Sequence, residues 1–339
     1  MPRFILLLAL LSGLPISAGA AGEFAATPIS LADHVAPGDI YAGVRLLGAL
    51  RLSHSEINGL RLCGLSGLAW DEDAGLLYAI SDQGALFHLR PVFDDQGHLA
   101  GARAIAAYPL QDASGKPVRA PFDDSEGLAI RNGDNQIQDD TELLVSFEVK
   151  PRVVRYGAKG EWRGEESLPT VLRDIRNYHD GNQALEAVTL DPRWGVLVGT
   201  ETPLRSDPPG QIRIFTGSGR FWIYPLGGAP GSALVAMEAL PDGSLLTLER
   251  AFVALLRPLV ISLRRAELPT LGTTGTLLNV TDIAVFDSSQ GWLLDNFEGL
   301  TRHRDRRFFM VSDDNCSSWQ TTLLVYFELL PIAPASVSH

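Results

Sequence analysis

Asp124-Ser125-Glu126-Gly127-Leu128 decides the reading of this chain, because its last three residues return along the sequence in recognisable form. The related blocks are Ser66-Gly67-Leu68, Glu186-Ala187-Val188, Glu238-Ala239-Leu240 and Glu298-Gly299-Leu300. Successive blocks are separated by 60, 60, 52 and 60 residues, a period that marks a repeat architecture. Each block is followed by an apolar run ending in an acid: Leu76 to Asp82, Leu143 to Glu148, Val196 to Glu201, Leu245 to Glu249 and Phe308 to Asp313.

Short runs such as Leu76-Leu77-Tyr78-Ala79-Ile80, Leu143-Leu144-Val145-Ser146-Phe147 and Phe308-Phe309-Met310-Val311 are rich in β-favouring residues. Turn chemistry separates them from the blocks before them, as in Asp71 to Gly75 and Pro241-Asp242-Gly243. Further strands are expected at Arg152 to Tyr156, Ile212 to Phe215, Phe221 to Tyr224 and Val253 to Leu256. Four strands with their turns need about 50 to 60 residues, the size of a propeller blade. The expected fold is therefore all-β, a β-propeller of five or six four-stranded blades. A sixth blade would pair the end runs Val44 to Leu52 and Leu323 to Leu330. The one fair candidate for an amphipathic helix is Leu259 to Leu268.

Residues 1–20 read as an export signal: Arg3, the apolar stretch Phe4 to Leu14, then Ala18-Gly19-Ala20. That stretch is too short to span a bilayer, so an exported protein without a membrane span is expected, with residues 21–339 forming a single domain. A formal charge of −12 argues against nucleic acid and suits a cation-binding protein as well as a merely soluble one. A monomer is expected. The two cysteines, Cys63 and Cys316, flank the first and last repeats, so they either close the ring as a disulfide or stay as two buried thiols.

In a propeller the start of each innermost strand and the end of its antiparallel neighbour share one rim. Glu126, Glu186, Glu238 and Glu298 are thus expected at one channel mouth, flanked by Asp82, Glu148, Glu201, Glu249 and Asp313. Converging carboxylates cannot all stay ionised without a compensating charge. Oxygen-only clusters suit a hard divalent cation, with Ca²⁺ favoured. The alternative is that each Glu caps backbone amides or pairs with an arginine of a neighbouring blade. Expected metal ligands are Glu126, Glu186, Glu298, Asn182 and Asn296, with Glu201, Glu249 and Asp313 as catalytic or supporting acids. Arg250, Lys150 and Arg152 are candidate grips for an anionic substrate group, an isolated salt bridge being the alternative for Arg250. Gly64-Leu65-Ser66-Gly67-Leu68 falls short of a serine-hydrolase elbow because Leu68 stands where glycine is needed. The seven histidines are scattered without metal-ligand spacing, His179 near the third block being the one to watch, and there is no zinc pattern or phosphate-cradling glycine loop.

These stretches resemble the phytase-like propeller family described as having esterase-like activity of phytase, found in exported bacterial proteins. The resemblance rests on Leu65-Ser66-Gly67-Leu68 with Ala79-Ile80-Ser81-Asp82, on Asp124 to Leu128, and on Leu185 to Val188 with Thr200-Glu201. It continues through Leu248-Glu249-Arg250, Asn296 to Leu300 and Val311-Ser312-Asp313-Asp314-Asn315. Gln83 stands where the family usually has Asp, and Ala187 where it usually has Gly, the first weakening Asp82 as a ligand. The resemblance implies a propeller and hydrolysis of small-molecule esters or phosphoesters. The rival expectations are a non-catalytic exported propeller with a structural ion, serving as a ligand- or protein-binding module, and a lactone- or sugar-acid-cleaving propeller.

Overall fold

Leu65–Asp71, Leu76–Ser81, Ala85–Phe93 and Leu99–Pro109 pair antiparallel in chain order as blade one. The computed structural model describes residues 24–331 apart from 182, 255–256 and 271–272, so the expected leader lies outside the described residues. Blade two is Ser125–Arg131, Glu142–Phe147, Arg152–Gly157 and Trp162–Glu165. Blade three is Leu185–Asp191, Gly195–Thr200, Gln211–Thr216 and Phe221–Pro225, with Thr276–Leu277 added in parallel at its edge. Blade four is Ser232–Ala239, Ser244–Ala251, Val260–Glu267 and Asn279–Asp287.

The fifth blade joins the chain ends. Asn296–Arg304, Arg307–Asp313 and Thr322–Leu329 come from the C-terminal part, and Val44–Leu52 and Ala26–Ile29 complete the sheet from the N-terminal part. The terminal runs therefore finish blade five rather than building a sixth, and the propeller has five blades. Thr322 pairs with Leu52 and Leu329 with Val44, so main-chain hydrogen bonds lock the ring shut. Cys63 and Cys316 add a disulfide with Cα atoms 4.9 Å apart, joining blade one to blade five. Beside it Asp314 accepts hydrogen bonds from the Gly64 amide at 2.9 Å and the Thr322 hydroxyl at 2.7 Å.

Hydrophobic cores lie between neighbouring blades, not inside any one of them. Phe309, Val311 and Tyr326 of blade five pack with Leu68, Leu77 and Phe87 of blade one. Leu246, Leu248 and Ile261 of blade four likewise meet Phe297, Phe308 and Phe327 of blade five. A strand in the middle of a blade is covered on both faces, which is why Leu76–Ser81 is buried at every position and its sequence shows no alternation. The same reason overturns the helix expected at Leu259 to Leu268: Val260–Glu267 is a strand between Ser244–Ala251 and Asn279–Asp287. At the expected strand Val253 to Leu256, Val253 and Ala254 belong to no strand, and Leu255 and Leu256 lie outside the described residues. The only α-helix among the described residues is Thr170–Arg173, and no helix there is long and apolar enough to cross a membrane.

Candidate metal and hydrolytic site

In all five innermost strands the pairing with the next strand slips near the start: between Leu65 and Gly67, Ser125 and Leu128, Leu185 and Ala187, Leu234 and Ala236, and Phe297 and Gly299. Such a bulge re-aims one side chain. The slips fall at Ser66, Glu126, Glu186, Val235 and Glu298. The small residue that follows has a separate cause. A Cβ on Gly127 would sit 2.2 Å from the Glu186 carbonyl of the next blade, and one on Gly67 would sit 2.7 Å from the Glu126 carbonyl. At Gly67 and Gly127 the innermost strands approach too closely for a side chain, whereas the equivalent Ala187 and Ala236 have room for a methyl group. Next come Leu68, Leu128, Val188, Met237 and Leu300, which line a shared central void of about 10 Å³ and close the channel beneath the acids.

Register corrects the fourth block. Val235-Ala236-Met237 is the equivalent of Glu126-Gly127-Leu128, because the bulge of that strand falls between Leu234 and Ala236. Glu238 lies farther along the strand, in a cleft of about 590 Å³ that it lines with Trp70, Asn132 and Arg302 and that none of the other rim acids lines. It does not join Glu126, Glu186 and Glu298.

The ends of the second strands complete the ring. Asp82, Glu148 and Glu201 donate their amides to the carbonyls of Gly64, Asp124 and Ala184, at 2.9, 3.1 and 3.1 Å. Asp313 pairs with Asn296, and the matching residue of blade four is Arg250, which pairs with Ala233. One guanidinium thus stands where the other four blades carry an acid. Arg250 donates to Glu201 Oε1 at 2.6 Å, to Glu298 Oε1 at 2.8 Å and to Asn296 Oδ1. Asn296 also donates to Glu298 at 2.7 Å.

Glu249, one residue earlier, points to the opposite face, as alternation along a strand requires. It is fully buried, accepting from Tyr224 Oη at 2.6 Å, Ser232 Oγ at 2.6 Å and the Gly227 amide at 2.8 Å, and it pairs with Arg264 at 2.6 Å. The structure does not bring it into the ring. Lys150 and Arg152 are also elsewhere, in a cleft lined by none of the ring acids. Asn182 lies outside the described residues, and His179 is exposed.

Two carboxyl triads result. Asp124, Glu126 and Glu148 bring one oxygen each within 4.8 Å of one another, as do Glu148, Glu186 and Glu201, so Glu148 belongs to both. Glu126, Glu186, Glu201 and Glu298 are only 8, 5, 4 and 7% exposed. Burial, then the charge of neighbouring acids, pushes the Glu126 and Glu186 carboxyls well above the ordinary range. Burial likewise raises Glu298 against the opposing pull of Arg250. Glu148 is pushed up to about 8 by burial, although the Ala184 amide donates to it at 2.6 Å. Burial lifts Asp82 to about 7 and Asp313 to about 6. Glu201 Oε2 is buried and accepts no hydrogen bond from a described residue. An orphaned carboxylate oxygen beside two further acids fits an oxygen-seeking cation, and these buried clusters could bind a metal.

Asp124 was not singled out from the sequence as a ligand. Its signal was nevertheless there: Asp124-Ser125-Glu126 and Asn296-Phe297-Glu298 share a polar residue two before the bulge Glu.

The phytase-like family, described as "Esterase-like activity of phytase", matches residues 61–316. No curated protein matches the chain in sequence. Similar solved structures include the Cps50 (Swd1) β-propeller domain of Myceliophteria thermophila, at 11% identity over 90% of this chain and 99% of that one, with a TM-score of 0.39. A gluconolactonase from Xanthomonas campestris is 14% identical over 93% and 99%, with a TM-score of 0.38. U3-55K is 10% identical over 84% and 98%, with a TM-score of 0.36. At such scores these likenesses carry nothing about function.

Proposed function

This chain belongs to the phytase-like family described as having esterase-like activity of phytase, and from that premise we propose a metal-dependent hydrolase of small-molecule esters or phosphoesters working at the acid ring. The observation that carries the proposal is the pair of triads sharing Glu148, with the unpartnered Glu201 Oε2 beside them. Asp124, Glu126, Glu148, Glu186 and Glu201 are the residues that would hold the ion. Five carboxylates and no His or Cys favour Ca²⁺, which takes six to eight oxygens. A bound divalent ion would supply Lewis-acid polarisation and a more acidic water.

The chain's own groups supply the rest. Arg250, anchored by Glu201 and Glu298, offers a guanidinium to an anionic substrate oxygen. Asp313, lifted to about 6, changes protonation close to neutrality and suits a general base. We read residues 1–20 as an export leader, and the Cys63–Cys316 bond suits an oxidising compartment.

One observation favours a rival reading, a structural ion in a ligand-binding module: Glu126, Glu148, Glu186, Glu201, Glu298 and Asp313 are almost wholly buried. The two readings separate on Asp313→Asn. Chelated and Ca²⁺-reloaded protein is assayed on p-nitrophenyl acetate and p-nitrophenyl phosphate, alongside thermal melts. Loss of turnover with Ca²⁺-dependent melting retained supports hydrolysis. No turnover by Ca²⁺-loaded wild type on either ester class overturns it.

A further inference from the structure

The cleft between blades one and two, of about 750 Å³, gathers four cationic side chains, on which its acids act only through space, Glu165 on Arg152 and Asp112 on Lys116. Lys116 and Arg119 come from the loop after blade one, Lys150 and Arg152 from the turn and third strand of blade two. None of the four makes a salt bridge with a described residue, in a protein of formal charge −12. The cleft's own acids are Asp112 and Glu165. Asp112 is occupied by its own loop, accepting from Ser114 N at 2.8 Å, Ser114 Oγ at 2.6 Å and Lys116 N at 3.1 Å.

The guanidinium of Arg152 is fixed rather than free. It lies 3.8 Å from the centre of the Phe147 ring and donates to the carbonyls of Phe122 at 2.6 Å and Lys150 at 3.0 Å. Its position costs little further ordering when a ligand arrives. Apolar surface faces the same space: Phe122 is 51% exposed and Trp162 39%, from two different walls of the cleft. Exposed aromatics beside these cations mark a binding surface more than a solvated one.

We propose that this cleft is a binding site for an organic phosphate dianion with an apolar or aromatic body, distinct from the acid ring. Arginine and lysine take the phosphate oxygens, the arginines in the forked geometry that suits them. Phe122 and Trp162 cover the apolar body. Four cations against two acids match a dianion. The site does not depend on hydrolysis at the ring, although Phe122 and Lys150 each lie two residues from ring acids, Asp124 and Glu148.

Phenyl phosphate is the probe, titrated calorimetrically into chelated protein so that no ring-bound ion can recruit it. Phenol and inorganic phosphate serve as the half-ligands. The expected result is binding of phenyl phosphate at least 10-fold tighter than of either. The double variant R119A/K150M, changed at two exposed side chains with no hydrogen bonds to described residues, should weaken it at least 10-fold with an unchanged melting temperature. Glu186→Gln should leave it unaltered. Unchanged affinity in the double variant, loss of binding in Glu186→Gln, or no binding by wild type would each overturn the proposal.

Discussion

Arg250 Nη2 lies 2.6 Å from Glu201 Oε1, so a side chain of blade four neutralises an acid of blade three. The same guanidinium reaches Glu298 of blade five at 2.8 Å, and one residue ties three blades together. It occupies the position at which the other blades carry Asp82, Glu148, Glu201 and Asp313.

Replacing Arg250 by Met leaves the ring acids without that charge. Removing one partner of a buried pair costs about 3–5 kcal/mol, so metal-free R250M should lose stability of that order above pH 8 and less at pH 5. Ca²⁺ should restore more stability to the variant than it adds to wild type. Denaturant melts with and without Ca²⁺ measure both, and a variant as stable as wild type at both pH values would mean the acids need no counter-charge.

The raised carboxyls set a pH dependence of definite sign. A carboxyl whose folded pKa exceeds its unfolded value binds more protons when folded, so stability falls as pH rises between the two values. For Asp313, Asp82 and Glu148 that window runs from about 4 up to about 6, 7 and 8. Chelated protein should therefore melt lower at pH 8.5 than at pH 5, and Ca²⁺ should abolish most of the difference. A chelated melting curve flat across that range would count against the buried ring.

Gly127→Ala places a methyl group 2.2 Å from the Glu186 carbonyl, a backbone atom that cannot swing aside. Overpacking of this kind costs about 1–3 kcal/mol or more, visible as a lower denaturation midpoint. Gly228→Ala, with open space around it, is the control and should stay within about 0.5 kcal/mol. Equal effects at the two sites would refute the close-approach account.

Glu249→Gln tests whether that acid is structural. It keeps the shape but removes the charge facing Arg264, and about 3–5 kcal/mol of stability should go with it. Activity per folded molecule should be unchanged. A turnover defect with the wild-type melting temperature would return Glu249 to the chemistry.

Removing the disulfide through Cys63→Ala with Cys316→Ala frees a loop spanning 253 residues of sequence separation. Chain-entropy reasoning puts the loss at about 5 kcal/mol, less whatever the terminal strand pairing already supplies. Melting of the double variant against wild type, with the bond checked by non-reducing mass spectrometry, gives the number.

The sequence by itself carried the repeat, the strand runs, the bulge acids Glu126, Glu186 and Glu298, and the acids Asp82, Glu148, Glu201 and Asp313 that end the second strands, because each of these is a local requirement met afresh from blade to blade. It also carried the end runs that close the ring, though not whether they finished a fifth blade or made a sixth. Pairing between strands decided the rest. Glu238-Ala239-Leu240 imitates the motif but lies past the bulge, and Glu249 misses the ring by one position, since side chains alternate along a strand. Which way a side chain faces depends on the register with its neighbour, and that register is set by contacts between residues far apart in the chain. The same holds for Leu259 to Leu268, whose apolar run suited a helix until strands on either side claimed its backbone.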